Sequence, residues 1–142
     1  MGSGAAGEMN EVFVDASYWI ALRSDTQRDH RRAVELAREI AAARRLLVTT
    51  YLAFAEMHAS FTRLPKLRRQ VISDFTRSSV TRIVNPEVAD YTRAFELLAQ
   101  YDDKSFSFCD AVSFVVMQRL GLREALSFDY HFEQVGQFHV LK

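Results

Sequence analysis

Short apolar runs alternate along this chain with longer segments whose apolar residues recur at helical spacing. Val12-Phe13-Val14 is a β-branched and aromatic run that reads as a buried strand. Asp15 ends it, and Ala16 to Leu22 has helical character. From Asp29 to Arg45, Ala33, Leu36, Ala37 and Ile40 fall on one face between charged residues, as in an amphipathic helix. Leu46-Leu47-Val48 is a second strand. Tyr51 to Leu64 is apolar nearly all round as far as Met57, so most of that helix is expected to be buried. Pro65 opens a helix to about Ser78, and Arg82-Ile83-Val84 is a third, shorter strand. Asn85-Pro86-Glu87 carries a helix-start signal, with Asn as cap and Pro at the first helical position, for a helix to about Tyr101.

The last third repeats the alternation. An apolar helix runs from about Cys109 to Leu120 and stops at Gly121; a strand at Glu124 to Ser127 leads to Asp129. A short helical turn then ends at Gly136, and Phe138 to Leu141 makes a final strand. Strands alternating with helices from end to end predict a parallel sheet covered on both faces, an α/β/α sandwich in one domain over residues 11–142. Residues 1–10 read as a flexible leader outside the fold.

Composition narrows the possibilities. The 142 residues are 49% hydrophobic and 25% charged, enough for one substantial core. Formal net charge is zero, so the chain as a whole has no electrostatic claim on nucleic acid or anionic membrane. Charge is nevertheless uneven. Between Phe61 and Arg82, Arg63, Lys66, Arg68, Arg69, Arg77 and Arg82 face one acid, Asp74. Arg28, Arg31, Arg32, Arg44 and Arg45 add to the basic side, whereas Asn85 to Asp110 is net acidic. Either these are ordinary solvated helix faces, or a basic face positions phosphates beside an acidic pocket. One cysteine, Cys109, excludes an internal disulfide and suits a reducing, cytoplasmic setting. No apolar run approaches the length of a membrane span, so no membrane role is expected. A Gly-rich phosphate loop is missing, which argues against nucleotide binding.

The candidate chemistry is acidic. Asp15 follows the first strand, Glu56 lies in the helix after the second, Asp110 opens the helix before the fourth, and Asp129 follows that strand. Right-handed crossovers place all strand C-terminal ends on one rim, so four carboxylates can converge there. Clustered carboxylates with few Cys or His suit Mg²⁺ or Mn²⁺, which lower the pKa of a bound water and clamp phosphoryl oxygens. Each aspartate also has a structural reading. Asp15 and Asp129 are plausible N-caps, and Ser107 with Asp110 fits a capping box. Glu56 is harder to explain by structure alone, because a lone buried carboxylate is costly, although Arg63 lies two turns on. Asp102 and Asp103 read as loop acids, with Asp103 the alternative outer ligand. The four histidines (30, 58, 131 and 139) show no metal-ligand spacing and read as surface or core residues. Cys109 reads as a small buried residue without a partner base.

Val12-Phe13-Val14-Asp15-Ala16-Ser17, Glu56 in its apolar helix, Ser107-Phe108-Cys109-Asp110-Ala111-Val112-Ser113-Phe114 and Leu122 to Phe132 together resemble a PIN domain. Within that family the chain looks like a VapC-type ribonuclease toxin of a prokaryotic toxin–antitoxin pair, over essentially all of Glu11 to Leu141. The resemblance implies a PIN-like, Rossmann-like fold and a Mg²⁺- or Mn²⁺-dependent endoribonuclease acting on structured RNA. It implies Asp15, Glu56, Asp110 and Asp129 as catalytic, metal-holding acids, with Ser17 and Ser107 supporting them. It also implies a homodimer and a cognate antitoxin that blocks the site. The family pattern commonly has Thr where Cys109 stands, which puts a hydroxyl-mediated contact at issue. The alternatives are a catalytically silent PIN-like module that binds RNA or protein, and a receiver-like signalling domain. The receiver needs a Lys after a late strand, and Phe128-Asp129 supplies none.

Overall fold

The computed structural model describes residues 10–142, so the expected leader lies, but for Asn10, outside the described residues. Five strands and seven helices follow in order: β1 (Glu11–Val14), α1 (Ala16–Arg23), α2 (His30–Ala42), β2 (Leu46–Thr50), α3 (Tyr51–Ser60) and α4 (Pro65–Thr76). Then come β3 (Thr81–Val84), α5 (Val88–Gln100), α6 (Phe108–Leu120), β4 (Glu124–Leu126), α7 (His131–Gln134) and β5 (His139–Leu141). Every strand pair is parallel, in the order β3-β2-β1-β4-β5. The chain winds outward from β1 through β2 to β3, then returns to lay β4 on the other side of β1. The β1/β4 boundary is therefore the topological switch point, where open α/β sheets form their ligand crevice at the strand C-terminal ends. The register pairs Val14 with Leu126, so Asp15 and Ser127 emerge side by side.

Strand periodicity divides the core into two layers. Val12 and Val14 point into the layer beneath α1 to α4, with Tyr18, Trp19, Leu36, Met57 and Phe75. Phe13 points the other way, against Phe114, Phe132 and the helices after β3. All three β1 residues are fully buried, as an apolar strand at the centre of a two-faced sheet must be. Between the layers' outer helices, Asp90 is buried and takes a bidentate contact from Arg119 (2.8 and 2.9 Å) that clamps α5 onto α6. Among the described residues no helix is long and apolar enough to cross a membrane.

Two local expectations need correction. Helix α3 stops at Ser60, and only Ala53 and Met57 are buried in it. An apolar sequence buries itself only where other elements surround it, and α3 touches the rest of the fold along one side. Helix α5 is capped by Glu87 in a capping box with Asp90, so Asn85 and Pro86 precede the helix and do not begin it. Glu87 wins the cap because Asp90, three residues on, can return the hydrogen bond to its backbone.

Candidate metal centre at the switch point

Two of the expected acids, Asp110 and Asp129, come together with His131 above the β1/β4 boundary; Asp15 and Glu56 lie outside that close group and feel the charges of both aspartates. Asp15 is the N-cap of α1, with extended backbone and a side chain that accepts from Ser17 N. Its Oδ2 takes three donors: Ser17 N at 3.2 Å, Ser17 Oγ at 2.6 Å and Ser127 Oγ at 3.1 Å. Ser17 Oγ accepts in turn from Phe128 N at 2.9 Å, and Ser127 Oγ accepts from Asp129 N at 3.0 Å. This lattice ties the first turn of α1 to the segment leaving β4.

Asp110 sits in the first turn of α6. Ser107 Oγ accepts from Asp110 N at 3.0 Å, and Asp110 Oδ2 accepts from Ser107 N at 2.9 Å, a complete capping box. Asp129, one residue before Tyr130, the N-cap of α7, accepts from His131 N through Oδ1 at 2.9 Å. The helix-start role and the site role therefore coincide in Asp15 and Asp110, while Asp129 flanks a cap: helix starts and strand ends are what this fold brings to the rim. Ser17 and Ser107 both lie where the sequence placed them, against Asp15 and Asp110.

Glu56 arrives from α3 and is more exposed than expected. Its partner is not Arg63. The Cys109 side chain hydrogen-bonds to it, so the position where a Thr was the family expectation still supplies a donor, with sulfur in place of oxygen. Burial, with the neighbouring carboxylates adding to it, pushes the Cys109 thiol far above its ordinary range, and it stays protonated.

The electrostatics are those of an acid cluster with no counter-charge of its own. Burial pushes Asp15 up to about 6, with the charges of Asp129 and Asp110 adding to the rise. Burial likewise raises Asp110, reinforced by Asp129 and opposed by Ser107 and His131. Packing around the Glu56 carboxylate raises it too, again with Asp110 and Asp129 contributing. A cation is the ordinary remedy for such repulsion, and all-carboxylate oxygen donors suit a hard divalent ion. Ligand atoms of Asp110, Asp129 and His131 all lie within 4.8 Å of one another, close enough to surround one ion.

Two residues of this constellation escape a sequence reading. His131 has no ligand-type spacing to another His or Cys, yet its Nδ1 lies 2.7 Å from Asp110 Oδ2. Asp129 two residues earlier was the available signal, because an acid that flanks the cap of a short helix folds that helix's first residues back toward itself. Ser127 had only its place at a strand end to mark it. A cavity of about 810 Å³ opens elsewhere, between α1, α2 and α4 and the first residues of β2 and β3.

A five-stranded parallel sheet with an acidic cluster at its switch point is the architecture of a nuclease-type α/β domain, and the PIN domain family model matches residues 12–137. The chain belongs to the PIN domain family. Over 126 residues it is 31% identical to the 23S rRNA-specific endonuclease VapC20 of Mycobacterium tuberculosis, a match spanning 88% of this chain and 94% of that protein. The crystal structure of Mycobacterium tuberculosis VapC20, described as a sarcin–ricin loop cleaving toxin, is similar with a TM-score of 0.80 and 26% identity, covering 92% of this chain and 99% of that one. VapBC2 from Rickettsia felis, bound to promoter DNA, has a TM-score of 0.65 at 10% identity over 92% of this chain and 97% of that one. FitAcB from Neisseria gonorrhoeae has the same score at 14% identity, covering 92% and 96%; these last two show the fold alone. The expected resemblance to the VapC-type toxins is borne out, and with it the single α/β domain and the endonuclease class.

Proposed function

We propose that this chain is a Mg²⁺- or Mn²⁺-dependent endoribonuclease, the toxin of a toxin–antitoxin pair, hydrolysing a phosphodiester bond in structured RNA. The reading is carried by one observation: at the switch point of a PIN fold, ligand atoms of Asp110, Asp129 and His131 lie within 4.8 Å of one another, with Asp15 and Glu56 near enough to feel the charges of both aspartates. In this reading those four acids hold the cation and are the catalytic set. A bound divalent ion supplies Lewis acidity toward water and toward the phosphoryl oxygens. The chain's own part is to bury Asp15 and Asp110, to orient their oxygens through Ser17, Ser107 and Ser127, and to present an open rim to RNA. Water is the nucleophile, with no covalent enzyme intermediate. The relative VapC20 acts on 23S rRNA, so 23S rRNA, its sarcin–ricin loop first, is the substrate to assay.

The partners belong to the same proposal. The apolar cavity walled by Trp19, Leu22, Ile40 and Val80, with Arg44 and Arg77 at its edges, suits a segment of an antitoxin that carries apolar and acidic side chains. The exposed Val88 and Phe95, the latter packed on Phe108, suit a homodimer contact. A cytoplasmic setting follows from the substrate. Asp15→Asn and Asp110→Asn each keep the capping geometry and lower the charge. Both should abolish metal-dependent RNA cleavage while circular dichroism stays unchanged. Unchanged cleavage by either folded variant would overturn the assignment.

A further inference from the structure

His131 stands among the carboxylates without being one. Its Nδ1 lies 2.7 Å from Asp110 Oδ2 and 3.2 Å from Asp129 Oδ1, and its backbone N–H donates to that same Asp129 oxygen. On the far side of the ring, Nε2 is 3.1 Å from Ser105 Oγ. The ring also packs edge-on to Phe106, with centroids 5.5 Å apart. Ionised carboxylate oxygens only accept, so Nδ1 carries a proton, and Ser105 Oγ partners Nε2 on the other side of the ring.

The three aspartates show one shared pattern. Each has one oxygen filled by donors: Asp15 Oδ2 by Ser17 and Ser127, Asp110 Oδ2 by Ser107 N and His131 Nδ1, Asp129 Oδ1 by the His131 backbone N–H. The second oxygen of each takes no hydrogen bond from the described residues. Serines do this for Asp15. For Asp110 the imidazole does it, together with Ser107 N, and for Asp129 the backbone at His131 does it.

Resting on the metal-nuclease reading above, we propose that His131 is a positioning residue, whose imidazole pins one oxygen of Asp110 so that the second oxygen serves the cation beside Asp129. It is not itself a ligand. Nδ1, the nitrogen nearest the acids, has no free lone pair, and Nε2 is engaged with Ser105.

Two substitutions separate the donor from the ring. His131→Phe keeps an aromatic ring against Phe106 but cannot donate; His131→Asn loses the ring but keeps an N–H near the place of Nδ1. The readouts are Mn²⁺ affinity by calorimetry and pulsed EPR of the Mn²⁺-loaded protein, neither of which depends on activity. His131→Phe should weaken Mn²⁺ binding by about 10–100-fold, the usual cost of losing an outer-shell partner. His131→Asn should stay within a fewfold of wild type, and EPR should show no coordinated nitrogen. Unchanged affinity in His131→Phe, an equal loss in His131→Asn, or a coordinated imidazole nitrogen would each overturn the proposal. Should His131→Phe fail to fold, Ser105→Ala at the exposed end of the relay carries the test, with a fewfold weakening expected and unchanged affinity counting against it. Wild-type protein that binds no Mn²⁺ overturns the metal reading and this one together. Binding that is lost in Asp15→Asn but untouched in His131→Phe overturns this one alone.

Discussion

Helices α3 and α6 draw on nearly the same alphabet and meet opposite circumstances. Every residue of α6 from Cys109 to Met117 is buried, whereas α3 buries Ala53 and Met57 and leaves Tyr51 54% exposed. Helix α6 lies against the sheet with α5 clamped on its other side by Asp90 and Arg119. Helix α3 packs on α1 and α4, touches β2 and α6 along the same side, and has solvent beyond. Each delivers one carboxylate to the same site. Asp110 is buried with two N–H donors on one oxygen, and exposed Glu56 has a single thiol. The site therefore has one rigid wall and one compliant wall. An apolar helix sequence reports that something covers the helix; it does not say that the covering belongs to the same chain.

The contrast can be attacked at four points. The largest effect belongs to the rigid wall: Phe114→Ala should cost about 3–5 kcal/mol in urea denaturation, and Tyr51→Ala on α3 less than about 0.5 kcal/mol. Comparable losses would erase the distinction between the helices.

Asp15 comes next. Burial holds its folded-state pKa at about 6, above the ordinary aspartate value of 3.8, so its protonated form favours folding. That contribution is full below about pH 4 and is lost as pH rises through about 6. In EDTA, Asp15→Asn should be more stable than wild type at pH 7, by up to about 3 kcal/mol, with the gap closing toward pH 4. A gap that persists at pH 4 would mean that the charge is not its cause.

Third, Glu56→Gln should lower cleavage by about 10–100-fold, and raised Mn²⁺ should recover part of it. Asp110→Asn should show no such recovery in the same assay, and equal rescue would put both acids in one class. Smallest is Cys109. Cys109→Thr should leave cleavage near wild type, whereas Cys109→Val should lose about 1 kcal/mol, roughly fivefold in rate, with the donor to Glu56. A Cys109→Thr variant as poor as Cys109→Val would deny the thiol that role.

Much of this was readable from the residues, for identifiable reasons. The first four strands are short apolar runs ended by Asp15, Thr50, Asn85 or Ser127, and two-faced burial leaves such runs little choice. Asp15 and Asp110 announced themselves because capping and site formation use the same residues in the same places, and Asp129 because it follows a strand. The exposure of α3 was not readable, since periodicity describes a helix's own faces and says nothing of how many neighbours it has. His131 was missed because a metal-ligand search by spacing assumes local geometry. Here the contact to Asp110 spans 21 positions and exists only once α7 has docked against α6. Strand order escaped for the same reason: nothing local says that the chain reverses between β3 and β4.

That reversal governs when the site can come into being. Asp15 is made early and Asp129 late, and they meet only when β4 inserts beside β1, through Asp15 N to Leu126 O at 3.0 Å. A nascent chain still short of Asp129, or a fragment cut anywhere before β4, holds its acids in separate places. On the reading proposed above, a long-range closing contact of this kind means that the acids are assembled only after β4 has been synthesised and has docked.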